Sequence, residues 1–207
     1  DSDLYREHPD WAIHIDEREG VQSRNQMVLD LSRDEVCEYV INAVSDILAN
    51  ANIEYVKWDM NRQLTDMPRL GYNHEYTLGY YKIMSAITEK FPNILFEGCS
   101  AGGGRFDAGV LAYMPQIWTS DNSDAIARLK MQYSTSMCYP VYSISSHVTA
   151  SPNHQCGRVT SLKTRADVAY CGTFGYELDV TKMSDEEFEE IKAQIEFEKR
   201  IQDLMCD

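Results

Sequence analysis

The chain has 207 residues, 33 of them acidic against 19 basic, for a formal net charge of −14. That balance excludes the basic face that a nucleic-acid or anionic-membrane partner wants, and no apolar run reaches the roughly 18 residues of a membrane span. With 43% hydrophobic residues the chain can bury the core of one large domain or two small ones.

The opening "DSDLYREHPD" has no initiator methionine and reads as an internal start. From there a strand followed by a helix recurs, without a fixed-period repeat. "NQMVLDLS" predicts a strand over 26–32. "RDEVCEYVINAVSDILANA" then has helical spacing, with Val36, Val40, Ala43, Val44, Ile47 and Leu48 on one face. Ser32 is placed to N-cap that helix and Glu35 to complete a capping box. "IEYVKWD" predicts the next strand, a buried one, and the loop "MNRQLTDMPRLGYN" leads to a helix near 74–91 that Pro92 stops. "NILFEGCS" is a strand that runs into a glycine-rich loop. "QIWTSD" is another, followed by helical spacing over 123–137. "VYSISSHV" reads as a fifth strand, "RVTSLKTRADVAYC" as a helix and "TFGYELDV" as a sixth strand. A final helix, roughly 184–205, opens at the box Ser184–Glu187.

Six βα units with strands apolar on both faces imply a parallel sheet covered by helices. An open doubly wound sheet and a (β/α)8 barrel both fit. Asp30, Asp59, Cys99, Asp121, His147 and Asp179 fall at or near the C-terminal ends of successive strands. Polar groups converging from many strand ends are the active-site layout of a barrel. The expected fold is therefore α/β, a partial TIM-type barrel of about six βα units, strands 3 to 8, with the first two units missing. Six cysteines at irregular spacings do not form a disulfide framework, and reduced thiols in a cytoplasm are the simpler reading.

Lys57 lies two residues before Asp59, so both side chains point to one side of the strand. An ammonium there favours an ionised carboxylate, as a nucleophile needs. Asn61 adds an uncharged donor. The bland alternative for Asp59 is a strand-end cap. Asp121 stands near Trp118, and apolar bulk beside a carboxyl favours the protonated form of a general acid. Asp124 opens a helix and suits its dipole, and it stays open beside Asp121 as the acid. Two carboxyls in contrasting settings suit glycoside hydrolysis. In "GCSAGGGRFD", Arg105 stands where a phosphate-binding loop has lysine, which argues against phosphate. The glycines let backbone N–H groups approach a ligand. His147, His154 and Cys156 match no standard zinc spacing, and Cys99 is a ligand-edge group or a small buried residue.

Four segments, "VKWDMNR", "CSAGGGRFD", "PQIWTSDNSDA" and "DSDLYREHPDW", closely resemble the α-galactosidases of glycoside hydrolase family 36, and "SRNQMVLDLSR" and "SHVTASPNHQCGR" resemble them too. The resemblance runs from residue 1 to residue 207. It implies Asp59 as nucleophile, Asp121 as acid/base, and Lys57, Cys99, Gly102, Gly103 and Arg24 as substrate contacts, to which Asn61 and Trp118 are added from their places beside the two carboxyls. It implies hydrolysis of terminal α-1,6-linked galactose from melibiose or raffinose-type sugars with retention, and neither metal nor organic cofactor. α-N-Acetylgalactosaminidase, raffinose-type galactosyl transfer and an inactive carbohydrate-binding fragment stay open beside it. Family members are longer, so the N-terminal β-sandwich, the first two barrel strands and the C-terminal β-domain are expected to lie outside residues 1–207. The whole protein is expected to be a cytoplasmic, bacterial-type homo-oligomer.

Overall fold

The computed structural model describes residues 2–18 and 20–205. The chain divides into two compact units, residues 1–96 and 97–207.

In the first unit Ser2 caps α1 (Asp3–Glu7) by accepting from the Tyr5 N–H. The run expected as a parallel strand over 26–32 is not one. Its residues pair antiparallel with 11–13: Ile13 N–H donates to Val28 O and Asp30 N–H to Trp11 O, both at 2.8 Å. The apolar pattern was sound, since Val28 and Leu31 are buried. Apolarity alone does not choose a partner.

Helix α2 (Asp34–Asn50) starts one residue later than expected, with Arg33 at the cap and no side-chain cap bond. Ser32 Oγ donates instead to Asp30 Oδ1 at 2.6 Å, and Glu35 pairs with Arg33. The expected capping box is thus absent, because both of its members have nearer partners. Val36, Cys37, Ser45 and Leu48 form the buried stripe, while Ile47 is 62% exposed. Helix α3 (Tyr72–Lys90) packs on α2. Gly79 makes this approach possible, because a Cβ there would lie 1.7 Å from Leu31 O. Strand β1 (Tyr55–Trp58) alternates exposed and half-buried residues rather than being buried throughout. Strand β2 (Leu95–Gly98) follows α3, which stops at Phe91, and its Leu95 N–H donates to Glu54 O at 2.9 Å.

In the second unit the strands are parallel. The end of β2 pairs with β3 (Gln116–Ile117) in the register Glu97↔Gln116 and Gly98↔Ile117. A parallel bridge joins Ile117 to Ile144. Strand β4 (Ser145–Thr149) pairs with β5 (Thr173–Glu177) from Ser145↔Thr173 to Thr149↔Glu177. Helices α4 (Ala125–Ser136), α5 (Leu162–Ala169) and α6 (Asp185–Ile201) follow β3, β4 and β5. Ser161 and Ser184 cap α5 and α6, and the Ser184–Glu187 capping box forms as expected. Val148, Leu162, Ala166, Ala169 and Ile191 make the core under these elements. Strand β4 is buried although it reads Ser-Ser-His-Val-Thr. Buried Gln132 of α4 accepts from Ser146 Oγ and donates to the carbonyls of Val168 and Cys171, and Thr149 Oγ1 donates to Ser123 O, so these two polar side chains of β4 are hydrogen-bonded indoors.

The described residues hold five strands, not six. None of Cys37, Cys99, Cys138, Cys156 and Cys171 is in a disulfide; Cys206 lies outside the described residues. Among those residues no helix is long and apolar enough to cross a membrane.

Candidate active site

In the first unit, Lys57 and Asp59 are both exposed, Lys57 within β1 and Asp59 just past its end. Asn61 Nδ2 donates to Asp59 Oδ2. Arg24 is exposed at the tip of the Ser23–Gln26 turn, with a positive φ of 54°. Arg62, which the sequence reading passed over, ties this turn to the loop after Asp59. It is 5% exposed. Its Nε donates to Gln26 O, its Nη2 to Val21 O and, at 3.1 Å, to Thr65 Oγ1. Asp66 adds a second tie by accepting from the Val21 N–H at 3.1 Å. Asp30, the other acid at an expected strand end, is committed to the fold: its Oδ1 accepts from Ser32 N–H, Ser32 Oγ and Tyr72 Oη. Burial, then that bond to Asp30, pushes the Tyr72 phenol above its ordinary range.

In the second unit, Asp121 is exposed just beyond β3. The Trp118 indole Nε1–H donates to its Oδ1 at 3.1 Å. The expected apolar neighbour is therefore a polar one, because the ring presents its N–H edge. Trp118 is itself 4% exposed. The Arg128 guanidinium lies 3.8 Å from the ring centroid and the His147 imidazole stacks at 4.6 Å. These two contacts and the bond to Asp121 tie the ring into the protein. Gln155 braces the same segment: its Nε2 donates to Asp121 O at 2.8 Å and its Oε1 accepts from Ser123 N–H.

Asp124 is consumed by structure. It caps α4 by accepting from Ala127 N–H, and its other oxygen pairs with Arg158 at 3.1 Å. Glu97, at 0% exposure, accepts from Gln116 Nε2. These two acids differ from Asp121, whose Oδ2 takes no hydrogen bond among the described residues.

Two N–H groups of the glycine-rich loop are used within the protein. Gly103 N–H donates to Thr119 O at 3.1 Å, and Gly104 N–H to Ser100 O. Gly102, at φ 87°, lies directly against the backbone that carries Asp121: a Cβ would meet Ser120 Cα at 2.7 Å and Asp121 N at 3.1 Å. Arg105 Nη2 closes the loop on Cys99 O at 2.7 Å, and Cys99 is 5% exposed. The loop's visible work is to seat the Thr119–Asp121 segment. His147 Nδ1 lies 3.2 Å from Glu177 Oε2, Cys156 leans on Asn153, and His154 is exposed.

Sequence reasoning missed Arg128, Arg62 and Gln155. Arg128 sits in a helix where a cation reads as a solvated side chain, and only its 3% exposure reveals otherwise.

The family model described as Melibiase matches residues 1–207. The chain is 53% identical to alpha-galactosidase AgaA of Geobacillus stearothermophilus, over 99% of this chain and 29% of that protein. It is 52% identical to the bifunctional alpha-galactosidase/sucrose kinase AgaSK of Mediterraneibacter gnavus, over 99% of this chain and 22% of that one. Among solved structures, an AgaA variant from Geobacillus stearothermophilus in complex with raffinose superposes with a TM-score of 0.95 at 52% identity, covering 99% of this chain and 30% of that chain. The chain thus spans less than a third of the length of the relatives it matches.

Proposed function

The chain belongs to the Melibiase family, and on that premise we propose that it is the catalytic segment of a retaining exo-α-galactosidase acting on terminal α-1,6-linked galactose. Its relatives are named α-galactosidases, and raffinose is bound in one of their structures. In this reading the parallel strands and their helices are part of a (β/α)8 barrel, residues 1–207 being one portion of a longer catalytic protein.

Asp59 attacks the anomeric carbon and forms a galactosyl ester. Asp121 protonates the departing oxygen, then removes a proton from the water that opens the ester. Two displacements return the original anomeric configuration. Retaining chemistry of this kind asks for carboxyl groups about 5–5.5 Å apart in the ligand-bound protein. Lys57 and Arg24 serve the sugar hydroxyls, and Asn61 holds the nucleophile's carboxylate.

One observation carries the assignment within this chain. Asp59 and Asp121 are exposed carboxylates just past strand ends, each accepting a hydrogen bond from a neutral donor. Asp30, Glu97 and Asp124 are spent on caps, buried bonds or ion pairs.

The test is proton NMR of the full-length protein hydrolysing raffinose. The first galactose released should be the α anomer, drifting later to the mutarotated mixture. The β anomer appearing first would refute retention, and no released galactose would refute the activity.

A further inference from the structure

We propose that Arg128 and His147 are positioning residues for the Asp121 carboxyl and act on it through the indole of Trp118. The proposal deepens, and rests on, the reading of Asp121 as the proton donor.

An acid that protonates one particular oxygen must hold its carboxyl at a fixed rotation. Asp121 is exposed, and among the described residues the hydrogen bond to its carboxyl comes from Trp118 Nε1. The aim of that N–H depends on two torsions of the Trp118 side chain, and hence on what grips the ring. Two groups grip it. The Arg128 guanidinium carbon is 3.8 Å from the ring centroid. The His147 ring is 4.6 Å away and inclined by only 18°, a stacked geometry.

Both gripping groups are anchored in turn. Arg128 Nη1 donates to Thr119 Oγ1 at 2.9 Å and Nη2 to Ser120 O at 3.1 Å. One planar group therefore covers the indole of residue 118 and hydrogen-bonds residues 119 and 120, the whole stretch that leads to Asp121. Only arginine combines a flat stacking face with an in-plane fork of donors. His147 is set by β4, and its Nδ1 lies 3.2 Å from Glu177 Oε2 on β5.

Simple packing would not call for this cation. Arg128 is 3% exposed, and a buried charge is costly where an apolar side chain would fill the space. Burial lowers its pKa to about 10, opposed by the nearby carboxylates of Glu177, Asp121 and Glu97, so it stays charged at neutral pH. The arrangement holds Asp121 Oδ1 and leaves Oδ2 to carry the proton.

Loosening the clamp should therefore harm the step that needs protonation and spare the rest. The experiment uses the full-length protein with Arg128→Lys, His147→Gln and Trp118→Phe, beside Asp121→Ala. For each, kcat/KM is measured on raffinose, whose leaving group needs the proton, and on an activated aryl α-galactoside, whose leaving group does not. The ratio of the two is independent of how much of the preparation is folded. Trp118→Phe keeps a ring for both partners and removes the N–H. His147 is only half-buried, so His147→Gln disturbs the core least.

General acid catalysis supplies about 10²–10⁴-fold, so the ratio should fall about tenfold or more in all three clamp variants. Combined with Asp121→Ala, none of them should lower the ratio below that of Asp121→Ala alone. Equal losses on both substrates in the clamp variants, beside a collapsed ratio in Asp121→Ala, would overturn the clamp alone. An unchanged ratio in Asp121→Ala would overturn the reading of Asp121 and the clamp with it.

Discussion

Replacing Gly102 by alanine should cost activity out of proportion to the one carbon it adds. The new Cβ would lie 2.7 Å from Ser120 Cα and 3.1 Å from Asp121 N. Carbon atoms rest at about 3.5–4.0 Å, so the loop and the Ser120–Asp121 backbone must part by about 1 Å. The left-handed backbone at φ 87° adds about 1–2 kcal/mol for any L side chain, and overpacking adds about 1–3 kcal/mol. Together these predict a stability loss of about 2–5 kcal/mol. A catalytic group moved by about 1 Å loses about 10²-fold in rate. Gly71→Ala is the control. Gly71 has φ 82° and nothing within 4 Å of its missing Cβ, so it pays the backbone term without the collision. Thermal melts and kcat on an aryl α-galactoside and on raffinose, all in the full-length protein, decide the matter. Gly71→Ala should lose stability and keep kcat. Gly102→Ala should lose both. Wild-type kcat in Gly102→Ala, at any stability cost, would refute the claim that this loop seats Asp121.

Asp179 predicts a pH window. Hydrogen bonds from Thr181, then Lys182, hold its pKa at about 2, below the ordinary carboxylate range. The stabilisation is present above the unfolded pKa, about 3.9, and is lost as pH falls through the folded one. In denaturant melts, Asp179→Ala should be less stable than wild type near pH 5, with the gap closing toward pH 2. A gap of constant size would contradict the assignment. The thiols give a simpler check, made in a Cys206→Ser background. Cys138, Cys156 and Cys171 are exposed, and should react with Ellman's reagent in the native chain without added reductant. Cys37 and Cys99, at 1% and 5% exposure, should react only on unfolding. Burial also raises the Cys37 thiol pKa, which slows it further. A disulfide engaging Cys99 would contradict both the burial and the loop geometry.

What could be read from the sequence was local. The Ser184–Glu187 capping box formed because both members lie within one turn and nothing nearer competes. Asp124 was legible as an acid that opens a helix. The same local logic failed at Ser32, whose hydroxyl found Asp30 two residues back. It failed again over 26–32, where an apolar run carries no record of whether its partner is parallel or, as here, the antiparallel segment 11–13. Ile47 joined the expected apolar face, but the stripe is set by what covers the helix, and it remains 62% exposed.

At the candidate site, the sequence did not show how neighbouring groups meet. Trp118 was read by its bulk, whereas its ring orientation makes it a hydrogen-bond donor to Asp121. The glycines were read as a surface for a ligand, yet Gly103 spends its N–H on Thr119. Arg128 gave no local signal, because its stacking on Trp118 exists only once α4 is laid beside β3. The last two are tertiary contacts that no spacing encodes.

The most direct measurement of the central claim is to trap the covalent intermediate. The full-length protein would be incubated with a fluorinated, activated galactoside that forms the ester quickly and hydrolyses it slowly, then digested and sequenced by mass spectrometry. The account predicts one added galactosyl group, on the peptide containing "VKWDMN" and at Asp59, with no adduct in Asp59→Asn. A label on any other residue, or turnover by the wild type with no covalent adduct at all, would contradict it.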